Sequence, residues 1–446
     1  MPPHIRTIIA GGGPIPELDQ VSLEEDVALA GRVFGTRDAI VLFAGGPGTN
    51  AVQERTLDVE GDPIVFGLAN LFSPRGGRDA HYRATRLALH GGATLDQLFA
   101  AFELALPDGE QPLLFYFTGH GRGGEDPRDA LAETWGSAAF DPQALAEALE
   151  DSHTSRRVRV ILTSCYSGGF AELAFRGADS ALGATNQDRC GFFSTAWDRE
   201  SGGCDSDPDR GTHEGFGVHF LSALAGHDRD GHDARTEIDL DGDGVITLAE
   251  AMTRTRIASR AIDVPITTSE RLLRVVDVEE GDEGELAMPE QQAVIDALLR
   301  SLRLPSVADA ATALDELLGR RAETEDALGE AYAEARDLGA DAAGDALSRW
   351  PVLDDPYHPD YAATLAREHD AIGAYLESDV VIAWAEAEDD ASALEVTEDA
   401  LEVQIAVHLR ITQAAETIVR ARRLAARGGA EWEAYRRMRA CEGSAP

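Results

Sequence analysis

The sequence predicts an α/β fold for its first 275 or so residues and an all-α, helical C-terminal domain after them. In the first part, short runs rich in β-branched and aromatic residues alternate with helical segments, as a largely parallel sheet with flanking helices requires. An acidic, glycine-containing stretch at 276–285 then reads as a linker. Beyond it the composition shifts to Ala, Glu, Leu and Arg, with apolar residues at helical spacing. A chain of 446 residues also exceeds what one hydrophobic core usually organises, so the expected division is residues 1–275, a linker 276–285, and residues 286–446.

Taken in chain order, strands are expected at 6–10, 39–44, 113–117 and 158–163, the last three being near-continuous apolar runs suited to a sheet buried on both faces. Gly11-Gly12-Gly13 reads as a strand-to-loop turn. Ser22 with Glu25 forms a capping-box pattern before the helical segment that carries Val27, Leu29 and Val33. Thr94 stands as N-cap before Leu95, Leu98, Phe99 and Phe102, and a crossover helix is expected at 142–149. In the C-terminal part, Val294, Leu298 and Leu302 share one helix face, and Leu314, Leu317 and Leu318 belong to another that Gly319 is expected to end. Residues 397–427 repeat the pattern up to Gly428-Gly429, and Pro351, Pro356 and Pro359 mark a connection within the bundle.

Composition excludes several functions. The chain carries 39 basic and 80 acidic residues, a net charge of −41, which repels phosphate backbones and anionic lipid, so neither nucleic acid nor a membrane surface is the expected partner. Every basic residue except histidine is arginine. Without lysine there is no P-loop, no kinase strand lysine and no Schiff base. The four cysteines, Cys165, Cys190, Cys204 and Cys441, are too sparse for a disulfide framework or a CxxC zinc site, so reduced thiols are expected. With neither a signal-peptide pattern nor an apolar run of membrane-spanning length, the expected location is the cytoplasm.

Two apolar runs each end in a reactive residue among small ones: Leu113-Leu114-Phe115-Tyr116-Phe117-Thr118-Gly119-His120-Gly121, and Val160-Ile161-Leu162-Thr163-Ser164-Cys165-Tyr166-Ser167-Gly168-Gly169. In an open α/β sheet, ligands bind outside the carboxyl ends of the strands, so residues just after two strands converge on one crevice. A thiol with a pKa near ~8.5 is mostly protonated at neutral pH, and an adjacent imidazole that accepts its proton makes it a nucleophile. The flanking glycines let a peptide carbonyl approach, with the Gly121 and Cys165 N–H groups as candidate oxyanion donors. Ser167 as the nucleophile of an esterase is disfavoured, because the position two before it is Cys165 and not glycine.

A strand ending in His-Gly followed by one ending in Ser-Cys-x-Ser-Gly resembles the caspase, metacaspase and legumain clan of cysteine peptidases, over about residues 38–275. The resemblance implies a caspase-like, largely parallel sheet and hydrolysis of peptide bonds in protein substrates through a thioester, with His120 and Cys165 as the dyad and no cofactor in the chemistry. The neighbours of Cys165 are more similar to the legumain and bacterial caspase-like branches, so aspartate specificity is not implied. The likeness is also compatible with bacterial caspase-like peptidases encoded beside type III CRISPR systems, which would imply antiviral defence.

The twelve residues 239–250, DLDGDGVITLAE, fit a calcium-binding EF-hand loop, with ligands expected from Asp239, Asp241, Asp243, the Val245 carbonyl, Thr247 and Glu250. An irregular entry after the helical segment 216–225 points to a single structural or regulatory Ca2+ site, with the exit helix starting near Leu248. A third strand expected at 191–198 occupies the place where clan members build part of the primary pocket. Asp198, or in its stead Asp205, is the expected pocket acid, which would pair with a substrate arginine. Residues 121–133 and 199–214 read as exposed loops, and clan relatives are often zymogens, so activation by autoprocessing or by an upstream protease is expected. The rival from another class is a caspase-shaped binding scaffold without turnover that acts through its helical domain.

Overall fold

The computed structural model describes residues 5–56, 61–72, 80–107, 111–151, 156–278, 281 and 283–446. Its strands, in chain order, are β1 (Thr7–Gly11), β2 (Ala39–Phe43), β3 (Asn50–Arg55), β4 (Ala80–Ala84), β5 (Leu113–Thr118), β6 (Gly121–Arg122), β7 (Leu131–Thr134), β8 (Ala138–Phe140), β9 (Val158–Thr163), β10 (Arg189–Phe193) and β11 (Ile266–Thr267). The main sheet has six strands in the order β11-β10-β9-β5-β1-β2. All of its pairings are parallel except β10 with β11. The strand expected at 191–198 is β10, which stops at Phe193, short of Asp198.

Strand side chains alternate between two cores, as the pleat requires. Ile8, Ala10, Leu42, Phe115, Phe117, Val160 and Leu162 pack on one face with the helices Leu95–Ala105 and Pro142–Asp151. Ile9, Val41, Phe43, Leu114, Tyr116 and Ile161 pack on the other with Val21–Phe34, Phe216–Leu224 and Leu248–Ala258. Both faces are covered, so these strands read as unbroken apolar runs.

The chain forms two compact units, and they do not follow the expected boundary at 276–285. One holds residues 1–55, 82–314 and 405–446; the other holds 56–81 and 315–404. The reason is a shared core. Leu272 and Leu273 of the α/β part are buried with Val294, Leu298, Ile411, Ile418 and Met438 of the helical part. Arg410, which is 2% exposed, donates to the carbonyls of Ser259 (2.7 Å), Ala261 (2.8 Å) and Asp263 (2.7 Å). The fully buried Glu442 accepts from the Ser269 N–H at 2.9 Å. The second unit has a core of its own around Leu68, Leu71, Trp350, Leu353, Ile372 and Tyr375.

Three local expectations are corrected. Ser22 does not cap its helix: its hydroxyl accepts from the Asp205 N–H, and Gln20 occupies the N-cap position. Gly319 ends nothing, because Val307–Arg349 is one continuous helix whose packing outweighs a single glycine. Cys190 and Cys441 are not free thiols but a disulfide that ties the last helix, Ala430–Glu442, to β10. Thr94 does cap its helix, and the three prolines lie between the helices Val307–Arg349 and Tyr361–Leu376. Among the described residues, no helix is long and apolar enough to cross a membrane.

Candidate active site

β5 and β9 are neighbours, and Thr118, the last residue of one, pairs with Thr163, the last of the other. Their continuations therefore leave the sheet side by side, Gly119-His120-Gly121 next to Ser164-Cys165. Contact between them is close: a Cβ on Gly121 would come within 2.2 Å of the Cys165 carbonyl oxygen, so only glycine fits there. Tyr166, directly after the cysteine, is held in the left-handed region at φ 59°, a strained turn between β9 and the 3₁₀ helix Ser167–Ala174. Its N–H donates to the Arg199 carbonyl at 2.8 Å, which helps hold that turn. Cys165 is left partly exposed, whereas Ser167 is fully buried against Ser194 and unavailable as a nucleophile.

The imidazole of His120 is anchored from the first strand. After β1 the chain turns through Gly12, at φ 108°, and folds so tightly that a Cβ on Gly13 would lie 1.9 Å from the Leu18 carbonyl oxygen. The buried Asp19 fastens this turn by accepting from the Gly13 N–H at 2.8 Å. His120 Nε2 then lies 2.9 Å from the Leu18 carbonyl and 3.0 Å from Gln20 Oε1. A carbonyl only accepts, so Nε2 carries the proton and Nδ1 is the basic nitrogen. Burial holds the His120 pKa below its ordinary range, against the pull of Leu18 and Glu133.

The thiol meets a different segment. Ser201 donates its N–H to Cys165 Sγ at 3.3 Å, and its hydroxyl donates to Asp263 Oδ1 at 2.6 Å. Asp263 also accepts from the Gly202 N–H at 2.9 Å, and its backbone carbonyl is one of those held by Arg410. Burial raises the Cys165 pKa, the Ser201 N–H lowers it, and Glu200 and Asp263 raise it further. The resting pair is thus a neutral thiol and a neutral imidazole. No hydrogen bond joins the two side chains; the imidazole bonds Leu18 and Gln20, and the thiol bonds Ser201.

A cavity opens beside Cys165, lined by Thr118, Ser164, Cys165 and the segments 22–26, 201–204 and 210–218 in part. His120 is not among its lining residues. Its titratable walls are Glu25, Asp26, Cys204, Arg210, His213 and Glu214. Glu214 is engaged by His219 at 2.6 Å and by Arg229, and His213 lies 3.3 Å from Glu25. Asp26 has only a long bond from Thr118 Oγ1, at 3.4 Å. Burial raises its pKa to about 6, opposed by the charges of Arg210 and His213.

The expected pocket acids are elsewhere. Asp198 is exposed in the turn after β10 and does not line this cavity. Asp205 is spent on its own loop, accepting from the Asp207 N–H at 2.8 Å. Sequence reasoning missed Leu18, Gln20, Asp26, Ser201, Arg210 and Asp263, which lie far along the chain from the dyad and form no motif with it.

In the acidic loop, Asp239, Asp241 and Asp243 are brought together, with candidate ligand oxygens within 4.8 Å of one another. Their carboxylates accept loop N–H groups from Gly242, Gly244, Asp243 and Val245. Thr247 caps the helix Leu248–Ala258, and Glu250 completes a capping box while accepting from the Leu240 N–H at 2.7 Å. Glu250 thus stands outside the carboxylate cluster. A second cluster, Asp228, Asp230 and His232, lies shortly before it in the chain. Both are largely exposed, as acidic groups without an ion often are.

Comparison with known proteins assigns no family: no family model matches the chain, and no curated protein matches it.

Proposed function

We propose that this chain is a cysteine endopeptidase with a caspase-like α/β core, in which Cys165 is the nucleophile and His120 the general base. The observation that carries the reading is the Nε2–H bond from His120 to Leu18, because it leaves Nδ1 as the proton acceptor at the strand end beside Cys165. In the reaction, Nδ1 takes the thiol proton as Sγ adds to the substrate carbonyl carbon. The N–H groups of Gly121 and Cys165 are the candidates to receive the negative oxygen. The imidazolium then protonates the leaving amine, and water, deprotonated by the same nitrogen, hydrolyses the thioester.

The substrate residue before the cut is proposed to be arginine, received by Asp26 and Glu25 in the cavity beside Cys165. A carboxylate short of partners gains most from a guanidinium. Calcium is proposed for the loop 239–250, whose donor set is all oxygen, as a hard cation needs. Asp239, Asp241, Asp243, the Val245 carbonyl and Thr247 would hold it, and Glu250 would join them by leaving its capping bonds. Control by cutting of the loop after β10 belongs to the same proposal.

Fluorogenic arginyl, asparaginyl and aspartyl peptides test this directly, with wild type against Cys165→Ala. Cleavage of the arginyl peptide alone, lost in Cys165→Ala, is expected. Cleavage of only the asparaginyl or aspartyl peptide contradicts the pocket, and cleavage that survives Cys165→Ala contradicts the nucleophile.

A further inference from the structure

The free volume of the cavity beside Cys165 is only about 30 Å³, room for a few water molecules and far too little for an arginine side chain. Yet its walls are acidic, and one of the side chains that already line it is an arginine of the chain itself, Arg210.

We propose that Arg210 is a tethered occupant of this pocket, standing where a substrate arginine is to go, so that the segment carrying it must withdraw before substrate can enter. This rests on the arginine-binding reading above. Two further features support it. Arg210 and Asp26 line the same cavity, where the charge of Arg210, joined to no carboxylate of the described residues within 4.0 Å, is the largest that opposes the upward shift of the Asp26 pKa. Its backbone is engaged elsewhere, since the Arg210 carbonyl accepts from the His213 N–H at 3.2 Å. A carbonyl committed to that turn is not offered to the thiol, so Arg210 fills the pocket without being cut.

The segment is built to hold this pose. Asp205, Asp207 and Asp209 each accept the N–H two residues on, from Asp207, Asp209 and Gly211, at 2.8, 2.8 and 2.9 Å. Its ends are fixed by Ser22, which accepts from the Asp205 N–H at 2.8 Å, and by His213, whose Nε2 lies 2.6 Å from the Asp207 carbonyl. Release of these turns, or their cutting, would free the pocket as one event.

Benzamidine, a guanidinium-like probe, measures the pocket without needing turnover. Titrated calorimetrically into Cys165→Ala protein, it should bind at least tenfold more tightly once Arg210→Ala is added, and Asp26→Asn on that background should abolish the gain. Arg210→Gln serves as the second variant if Arg210→Ala fails to fold, as judged by circular dichroism and melting. Equal affinity with and without Arg210, weaker binding after its removal, or no binding to any variant would each overturn the proposal. Peptidase assays of the same variants with Cys165 restored are read separately: if none cleaves while benzamidine still binds on loss of Arg210, the peptidase reading fails and the occupancy of the pocket stands.

Discussion

His120 donates its Nε2–H to the carbonyl of Leu18 across 2.9 Å, so a residue of the turn after β1 decides which nitrogen of a histidine after β5 is basic. The neutral form is favoured by burial, which holds the His120 pKa below 6.5. A base works only when unprotonated, so kcat/KM should rise with pH along an acid limb whose midpoint lies below the ordinary histidine value. The thiol, held up by burial, stays protonated at the plateau above that limb. A midpoint well above 6.5 would contradict the neutral pair, as would a thiolate absorbance at neutral pH that vanishes in Cys165→Ala. His120→Ala should cost about 10²–10⁴ in kcat/KM.

Asp263 positions the segment that touches the thiol. It is fully buried and holds both the Ser201 hydroxyl and the Gly202 N–H through Oδ1. Asp263→Ala should lower kcat about 10²-fold, since a small displacement near a reacting atom is costly. Asp263→Asn keeps one accepting oxygen and should recover most of the loss. If both variants retain full kcat on folded protein, Asp263 has no positioning role.

The Cys190–Cys441 disulfide closes a loop across a sequence separation of 251 residues, and so constrains the unfolded chain strongly. Replacing both cysteines by serine should lower unfolding stability by about 2–5 kcal/mol, measured by urea denaturation under oxidising conditions. The same reductant that lowers wild-type stability should leave the double variant unchanged. A wild-type protein whose urea midpoint ignores reductant would contradict a formed bond.

Calcium should act first on stability. If the cluster of Asp239, Asp241 and Asp243 takes the ion, a hundredfold excess over Kd adds about 2.7 kcal/mol. The melting temperature should therefore rise with calcium and fall with chelator, and Asp241→Ala should remove the dependence. Melting that is indifferent to both would rule calcium out of this loop.

Much of this was legible because it is local. β2, β5 and β9 announce themselves as apolar runs, since a sheet covered on both faces leaves no polar side, and His120 and Cys165 stand out because each closely follows such a run. What stayed hidden depends on long-range contact. Leu272 and Val294 flank the acidic stretch that reads as a linker, yet they share one core, so charge and glycine content mislead about the domain boundary. Ser22 fits a capping box by spacing, but the Asp205 N–H claims its hydroxyl from 183 residues away. Asp198 follows an apolar run as a pocket acid should, but the strand ends at Phe193 and the acid turns outward. Cys190 and Cys441 gave no spacing signal because their meeting depends on how the last helix packs against β10.

The most direct test of the central claim is digestion of a mixed peptide library by the intact chain, by a form nicked in the loop after β10, and by Arg210→Ala, each against its Cys165→Ala counterpart, with products identified by mass spectrometry. Products that depend on Cys165 and share arginine before the cut are expected, with the nicked and Arg210→Ala forms cutting faster than the intact one. Library peptides left whole by all three folded forms would contradict a peptidase, and would favour a binding scaffold.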